Sequence, residues 1–150
     1  MKPIMVLPIE VKIRKKLTIG YGHVIKDGEN FNNGLTQEQA IELLKKDVNE
    51  RAKVINEWAI DNKVILNQQE FDATVDFAFN IGVGAFYKST FATELKSGNT
   101  SPEKLKAAIL LFVKVNKKNT YGLYQRRMDE WQIFSTGDYK RDSFKRPPGF

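Results

Sequence analysis

The segment of residues 17–24, Leu-Thr-Ile-Gly-Tyr-Gly-His-Val, carries the residue types in this chain that are best suited to contact a ligand. If the segment is one short strand, alternation places Thr18, Gly20 and Gly22 on the same face. The two glycines then leave a bare strip where a ligand can approach the backbone, and the Thr18 hydroxyl can hold a water or a sugar. The alternative is an edge strand whose glycines only admit a neighbouring helix.

The residue counts limit the chemistry that the chain can perform. It has 150 residues, a single His and no Cys, which excludes a disulfide framework and a zinc site built on Cys or several His residues. A hydrophobic content of 41% and a charged content of 28% are typical of one globular domain with its own core. No apolar run approaches the roughly 20 residues that span a bilayer, so we expect no stable membrane insertion.

The net charge of +6 is distributed unevenly along the chain. Residues 1–26 and 113–150 are strongly basic, whereas residues 27–112 are net acidic. Basic ends favour attraction to a polyanion, such as nucleic acid, a membrane surface or an anionic cell wall. The alternative is that the charge serves solubility alone.

The hydrophobic pattern changes once along the chain. Residues of about 10–33 contain an Asp-Gly turn signal and predict a small β region. The capping box of Thr36 and Gln39 then begins a long helix, which apolar residues at helical spacing extend to about residue 59.

The remaining elements are predicted to be helices. The capping pair Asn67 and Glu70 begins a helix that is apolar nearly all round, with Phe79 in the core, and that stops at Gly82. A tight connection and three more helices follow, at about residues 84–86, 89–97, 101–113 and 121–134. The fold class is therefore α+β, with a small β lobe followed by a helical lobe, and a cleft between two such lobes is a usual ligand site.

Six motifs, taken in order, resemble those of the phage-type lysozymes, the endolysins that hydrolyse peptidoglycan. They are Thr18–His23, Gly34–Thr36, Phe71–Ala73, Phe77–Gly82, Phe86 with Ser89–Thr90, and Gly122–Leu123 with Arg126, Arg127 and Glu130. The resemblance runs from about residue 17 to residue 134. It implies a single lysozyme-like domain over residues 1–137, with a β region at about 10–33 and a helical lobe at about 36–134. Residues 138–150 are polar and basic and predict a loose tail.

The resemblance also implies a catalytic set. A Glu near the end of the first helix protonates the glycosidic oxygen, an Asp or Cys follows about nine residues later, and a Thr about six residues after that. Thr18 matches the Thr position, but Glu10, the only acidic residue upstream, lies eight residues before it rather than about fifteen. The strict spacing falls on Pro3 and Lys12. A deletion of about seven residues, which removes the hairpin that carries the Asp, accounts for the difference.

Two interpretations of Glu10 are open. In one it is the surviving general acid, whose pKa an apolar setting must raise. In the other it is a surface carboxylate, and the cations near it would lower its pKa. Those cations are Lys12, Arg14, Lys15 and Lys16.

The same resemblance predicts roles for residues outside the catalytic set. The residues predicted to contact substrate are Gly20, Tyr21, Gly22, Asn80 and Gly82. For Asn80 and Gly82 the alternative is a helix stop with a capping side chain. His23 has a structural role, as the partner of Asp47 in an ion pair with the long helix.

A charged group near the end of the chain has a simpler interpretation. Arg126, Arg127 and Glu130 lie one helical turn apart. This spacing predicts a surface ion-pair cluster that holds helices together.

The function implied by the resemblance is that of a muramidase, which cuts the β-1,4 bond between N-acetylmuramic acid and N-acetylglucosamine. Its partner is peptidoglycan, it is a monomer and it needs no metal or organic cofactor. The N-terminus lacks a small-residue cleavage site, which predicts synthesis in the cytoplasm without a signal peptide and action at the wall after release. With an incomplete catalytic set, we expect weak or lost activity.

Two alternatives to a muramidase remain. The first is a degenerate lysozyme that binds peptidoglycan without cutting it. The second is a basic nucleic-acid-binding protein, which would need a continuous basic stripe with stacking aromatic residues. The strongest helices are mixed or acidic, so we expect no nucleic-acid partner.

Overall fold

The computed structural model describes residues 9–11 and 16–150, with side chains from residue 17 onward. It divides into two compact units, residues 1–50 and 51–150. In chain order the elements are β1 (Ile9–Val11), β2 (Lys16–Ile19), β3 (His23–Val24), α1 (Gln37–Asp61), α2 (Gln68–Ile81), α3 (Val83–Tyr87), α4 (Thr90–Ser97), α5 (Pro102–Ile109), β4 (Lys114–Val115), β5 (Lys118–Asn119) and α6 (Tyr121–Thr136). The predicted α+β class is confirmed.

The first unit contains an antiparallel sheet in the order β1-β2-β3. The prediction of one strand through residues 17–24 is wrong, because the chain reverses between β2 and β3 and Ile19 pairs with His23. Gly20 and Gly22 lie in that turn with φ angles of 63° and 86°, which a strand does not adopt. The glycines and Thr18 therefore do not form a bare strip on one face.

Helix α1 begins as predicted. The Thr36 backbone N–H donates to the Gln39 side chain at 2.9 Å, and the Gln39 N–H donates to the Thr36 hydroxyl at 3.1 Å. These two bonds satisfy backbone donors that have no partner inside the helix. The helix continues for 25 residues to Asp61, slightly beyond the predicted end.

The second unit is built around α2, which packs most extensively against α6. Asn67 caps α2 by accepting from the Glu70 N–H at 2.9 Å, as predicted. The core aromatic residue of α2 is Phe77, which is fully buried, rather than Phe79. Phe79 is half-buried, and the guanidinium of Arg51 lies 5.4 Å from its ring centroid. The Phe77 ring has T-shaped contacts with Phe86, Phe91 and Phe112.

Three further predictions are wrong in detail. The connection after Gly82 is the short helix α3, and α5 ends at Ile109 rather than near residue 113. A hairpin of β4 and β5, which was not predicted, follows α5. The tail is not loose, since the Tyr139 hydroxyl donates to Asp72 at 2.6 Å and the Tyr121 hydroxyl donates to the Phe144 carbonyl.

Among the described residues, no helix is both long enough and apolar enough to cross a membrane.

We expect Phe77→Ala to lower the free energy of unfolding by about 3–5 kcal/mol, because it removes a ring that three other aromatic rings contact. Phe79→Ala is the matched control and should cost about 1 kcal/mol, since its ring is only half-buried. Chemical denaturation measures both values. An equal loss in the two variants would contradict the assignment of the core.

Candidate active site

The turn between β2 and β3 lies against the start of α1. A Cβ atom on Gly20 would be 3.5 Å from the Ala40 Cβ and 3.7 Å from the Leu35 Cδ1, which is ordinary van der Waals contact. No atom lies within 4 Å of the corresponding position on Gly22, and the positive φ angle favours glycine at both positions. Tyr21, at the apex of the turn, is half-exposed. Both glycines therefore have structural reasons to be present.

Thr18 lies in β2, directly before the turn. It is paired with Val24 on one side and with Ile9 on the other. Its neighbour Ile19 is 1% exposed and packs in the core of the first unit. Because side chains alternate along a strand, Thr18 lies on the face of the sheet that points away from that core.

Glu10 lies in β1, a strand, whereas the resemblance implies a Glu near the end of a helix. Its backbone is paired with Leu17, one register position from the pair formed by Ile9 and Thr18. The Glu10 side chain lies outside the described residues, as do those of the four neighbouring cations. Its role stays a prediction.

His23 connects β3 to two carboxylates. Its Nδ1 lies 2.8 Å from the Asp47 Oδ2, which confirms the predicted ion pair with α1. Its Nε2 lies 2.9 Å from the Glu29 Oε2, a partner that was not predicted. Glu29 also accepts from the Lys26 backbone N–H at 2.8 Å. Both ring nitrogens can therefore donate at once, which favours the imidazolium form.

The electrostatic balance at His23 follows from these contacts. Burial lowers the pKa of His23, but the hydrogen bonds to Glu29 and Asp47 and their negative charges together raise it above its ordinary value of 6.5. The pKa of Glu29 is lowered, chiefly by the hydrogen bond from the Lys26 backbone and then by the one from His23. The ring also has a T-shaped contact with Phe31 at 5.8 Å between centroids.

The predicted substrate contacts of the second unit lie at the end of α2. The Asn80 side-chain oxygen accepts a hydrogen bond from the Arg127 guanidinium, so Asn80 does not cap the helix. Gly82 does end it, with a φ of 90° and its N–H donating to the Ala78 carbonyl at 2.9 Å. No atom lies within 4 Å of the position where a Gly82 Cβ would stand, which leaves its backbone approachable.

The charged group of α6 is not a surface cluster. Arg127 is fully buried and Glu130 is 1% exposed, and the Arg127 Nε lies 2.9 Å from the Glu130 Oε2. Arg126, which is partly exposed, lies 3.3 Å from both Glu130 and Asp76 of α2. The cluster does hold helices together, as predicted. The spacing of these residues in the sequence did not reveal that the cluster is buried, because the same spacing occurs on exposed helix faces.

Burial controls the protonation of this pair. Desolvation raises the pKa of Glu130 well above its usual range, and Asp76 adds to the rise by hydrogen bonding. Desolvation likewise lowers the pKa of Arg127. A raised carboxyl pKa is a property of general acids, but both Glu130 oxygens face Arg126 or Arg127 and the side chain is closed to a glycan. Glu130 is therefore a structural residue.

Comparisons with known proteins extend these observations. The phage lysozyme family model matches residues 8–130. The endolysin of Bacillus phage B103 is 36% identical over 133 residues, which are 89% of this chain and 48% of that protein. The chain thus spans about half the length of that relative.

Solved structures match over most of both chains. The endolysin from Escherichia coli O157:H7 phage FAHEc1 superposes with a TM-score of 0.71 at 31% identity, covering 89% of this chain and 85% of that one. The muramidase domain of SpmX from Asticaccaulis excentricus also gives a TM-score of 0.71, at 26% identity, covering 87% and 86%.

A pH titration of His23 by NMR should give a pKa above 6.5, because two carboxylates stabilise the protonated ring. Since the folded pKa is raised, the stabilisation is fully present below the unfolded value near 6.5 and is lost as pH rises through the folded value. Asp47→Asn should lower the His23 pKa. A wild-type pKa at or below 6.5 would refute the ion pair.

Arg127→Met should lower the free energy of unfolding by about 3–5 kcal/mol, because it removes one partner of a buried ion pair. Adding Glu130→Gln should restore part of the loss, since the buried charge is then removed. Acidification should also reduce the loss in the single variant, because protonation neutralises Glu130. Additive effects in a double-mutant cycle at neutral pH would show that the pair is not coupled.

Proposed function

Because this chain belongs to the phage lysozyme family, we propose that it is a peptidoglycan hydrolase of the endolysin type. The bond cleaved is the one between N-acetylmuramic acid and N-acetylglucosamine, and the site of action is the bacterial cell wall. The observation that carries the proposal is the family match over residues 8–130, which includes Glu10, Thr18 and the turn that follows. The predicted lysozyme-like fold is confirmed by the solved relatives.

In the first unit, Thr18 and the turn are the proposed substrate contacts. Thr18 lies in the strand that leads into the turn, on the sheet face opposite to Ile19 and its core. We infer that its hydroxyl contacts a water or a sugar hydroxyl. Gly20 and Gly22 shape the turn, so the contacts with substrate there come from its backbone and from the half-exposed Tyr21.

In the second unit, taken by itself, the proposed substrate contacts are Asn80 and Gly82. Asn80 has two donors on its amide nitrogen, which remain available while its oxygen accepts from Arg127. The open backbone beside Gly82 can approach an N-acetyl group closely. The buried cluster of α6 fixes the orientation of the Asn80 amide.

Glu10 supplies the proton. In the reaction the bond between the anomeric carbon and the glycosidic oxygen breaks, and the carboxyl of Glu10 donates its proton to the leaving oxygen. A water held near Thr18 adds to the anomeric carbon and gives up a proton to solvent. Glu10 is the only carboxylate upstream of Thr18, and this position in the chain supports the assignment.

The second carboxylate of the family's set is missing. Nine residues after Glu10 the chain has Ile19, which is buried in the core, and six residues before Thr18 it has Lys12. Neither residue can stabilise a sugar cation or activate water. Each 1.36 kcal/mol of lost transition-state stabilisation lowers the rate about tenfold, so hydrolysis should be slow beside that of a relative with the full set.

A protein that binds peptidoglycan without cutting it is the second candidate. The missing carboxylate favours it, because the substrate contacts do not depend on that group. Release of reducing sugar from purified sacculi distinguishes the two candidates. Sedimentation with sacculi but no sugar release would identify the second.

Glu10→Gln should abolish sugar release and leave the melting temperature nearly unchanged, because the amide cannot donate a proton to the leaving oxygen. Glu57→Gln, which removes an exposed carboxylate on α1, is the matched control and should retain the wild-type rate. Undiminished release by the Glu10 variant would remove this residue from the mechanism. A fast wild-type rate would show that another group replaces the missing carboxylate.

A further inference from the structure

We propose that the second unit carries a binding surface for a phosphodiester polymer of the bacterial cell wall, separate from the residues that contact glycan. The proposal rests on the proposed function, since it takes the wall as the target. The surface, here called the basic face, is formed by the β4–β5 hairpin and the tail. Its cations are Lys114, Lys117, Lys118, Lys145 and Arg146.

The chain segments that supply the cations of the basic face carry no acidic residue. All five side chains are exposed. The sequence has no Asp or Glu from residue 104 to residue 128, nor from residue 143 to residue 150. A one-signed patch of this kind attracts anions over a distance of about 8–10 Å at physiological salt.

Contacts between the tail and the start of α6 bring the two segments together. The Asn119 amide donates to the Gly149 carbonyl at 3.2 Å. The Tyr121 hydroxyl donates to the Phe144 carbonyl, and the Arg146 guanidinium lies 4.7 Å from the Tyr121 ring centroid. The tail therefore meets the side of the hairpin that Lys114 shares with Asn119, while Lys118 lies on the opposite side, so a polymer that contacts both must pass around the hairpin.

The tip of the hairpin places a lysine where glycine is favoured. Asn116 and Lys117 have φ angles of 50° and 65°, the left-handed region that a two-residue turn requires. Asn tolerates this region well, but Lys adopts it at a conformational cost that Gly would avoid. The turn thus places an exposed lysine at the tip of the hairpin.

The side chains of the basic face favour a phosphate polymer that carries no nucleobases. Four of the five cations are lysines, whose compact ammonium groups suit single phosphate oxygens. The aromatic rings nearby are already occupied, since Tyr121 stacks on Tyr124 and is covered by Arg146. Tyr124 also packs against Phe150 at 5.2 Å between centroids. Single-stranded nucleic acid needs free aromatic platforms for its bases, and these rings do not provide them.

The test measures sedimentation with sacculi that carry phosphodiester polymer and with the same sacculi after hydrofluoric acid has removed it. The face variant is K114Q/K117Q/K118Q. The control variant is K46Q/K53Q/K96Q, which removes the same charge from exposed lysines elsewhere. Circular dichroism and thermal melting check that each variant folds.

We expect the face variant to bind polymer-bearing sacculi about tenfold more weakly than wild type at low salt, as three exposed ion pairs of ordinary strength imply. The control variant should bind nearly as wild type does. Affinity of the wild type should fall more steeply with salt than that of the face variant. All three proteins should bind stripped sacculi equally.

Lys117→Gly keeps the test decisive if the triple variant does not fold, because it relieves the strained turn while it removes a charge. It should melt at or above the wild-type temperature and bind polymer-bearing sacculi about two- to threefold more weakly.

Equal weakening in the face and control variants, or equal wild-type binding to intact and stripped sacculi, would overturn the proposal. Displacement by single-stranded DNA at lower concentrations than by soluble wall polymer would overturn it in favour of nucleic acid. Failure to bind or cut stripped sacculi would count against the proposed function instead.

Discussion

The buried guanidinium of Arg127 is the group on which the arrangement of the second unit depends. It lies 5.1 Å from the Phe77 ring centroid, pairs with Glu130 and donates to Asn80. A charge in this setting is tolerated only when its partners remain in place, because an unpaired ion in the interior costs several kcal/mol. The need to keep the Arg127 charge paired therefore constrains both the packing of α2 against α6 and the orientation of the Asn80 amide.

In the first unit, a buried histidine holds elements together through ion pairs. From residue 17 onward, where side chains are described, the core cluster of this unit has Ile19, Leu35 and Ala40 as buried members, with Ile25, Phe31 and Leu43 packed against them. The imidazole of His23 joins the strand to α1 through Asp47 and to the following loop through Glu29. Charged groups thus connect the strand, the loop and the helix in addition to the apolar contacts. The turn that precedes His23 is held at both ends, by the packing of Gly20 on Ala40 and by this ion pair.

Local signals made much of the fold predictable. The capping residues Thr36 and Asn67 each accept a hydrogen bond from the backbone N–H three positions further along, and these cap residues can be recognised in the sequence. The turn at Gly20 and Gly22 was missed because glycine spacing of two is also compatible with a strand. The β4–β5 hairpin was missed because it consists mainly of Lys and Asn. It therefore lacks the alternation of apolar and polar residues by which strands are recognised in a sequence. The burial of Arg127 and Glu130 depends on residues some fifty positions away, which spacing within one helix cannot report.

The contacts of the tail limit where the chain can be shortened. A boundary at residue 130, where the family match ends, would cut α6 in its middle and discard Phe134, which packs against Phe91 and Trp131. A boundary at residue 137 would keep the helix but expose the tyrosine rings that the tail covers and leave Asp72 without its hydroxyl donor. Expression of a shortened product would therefore present apolar surface to solvent and promote self-association. The second unit therefore includes the tail.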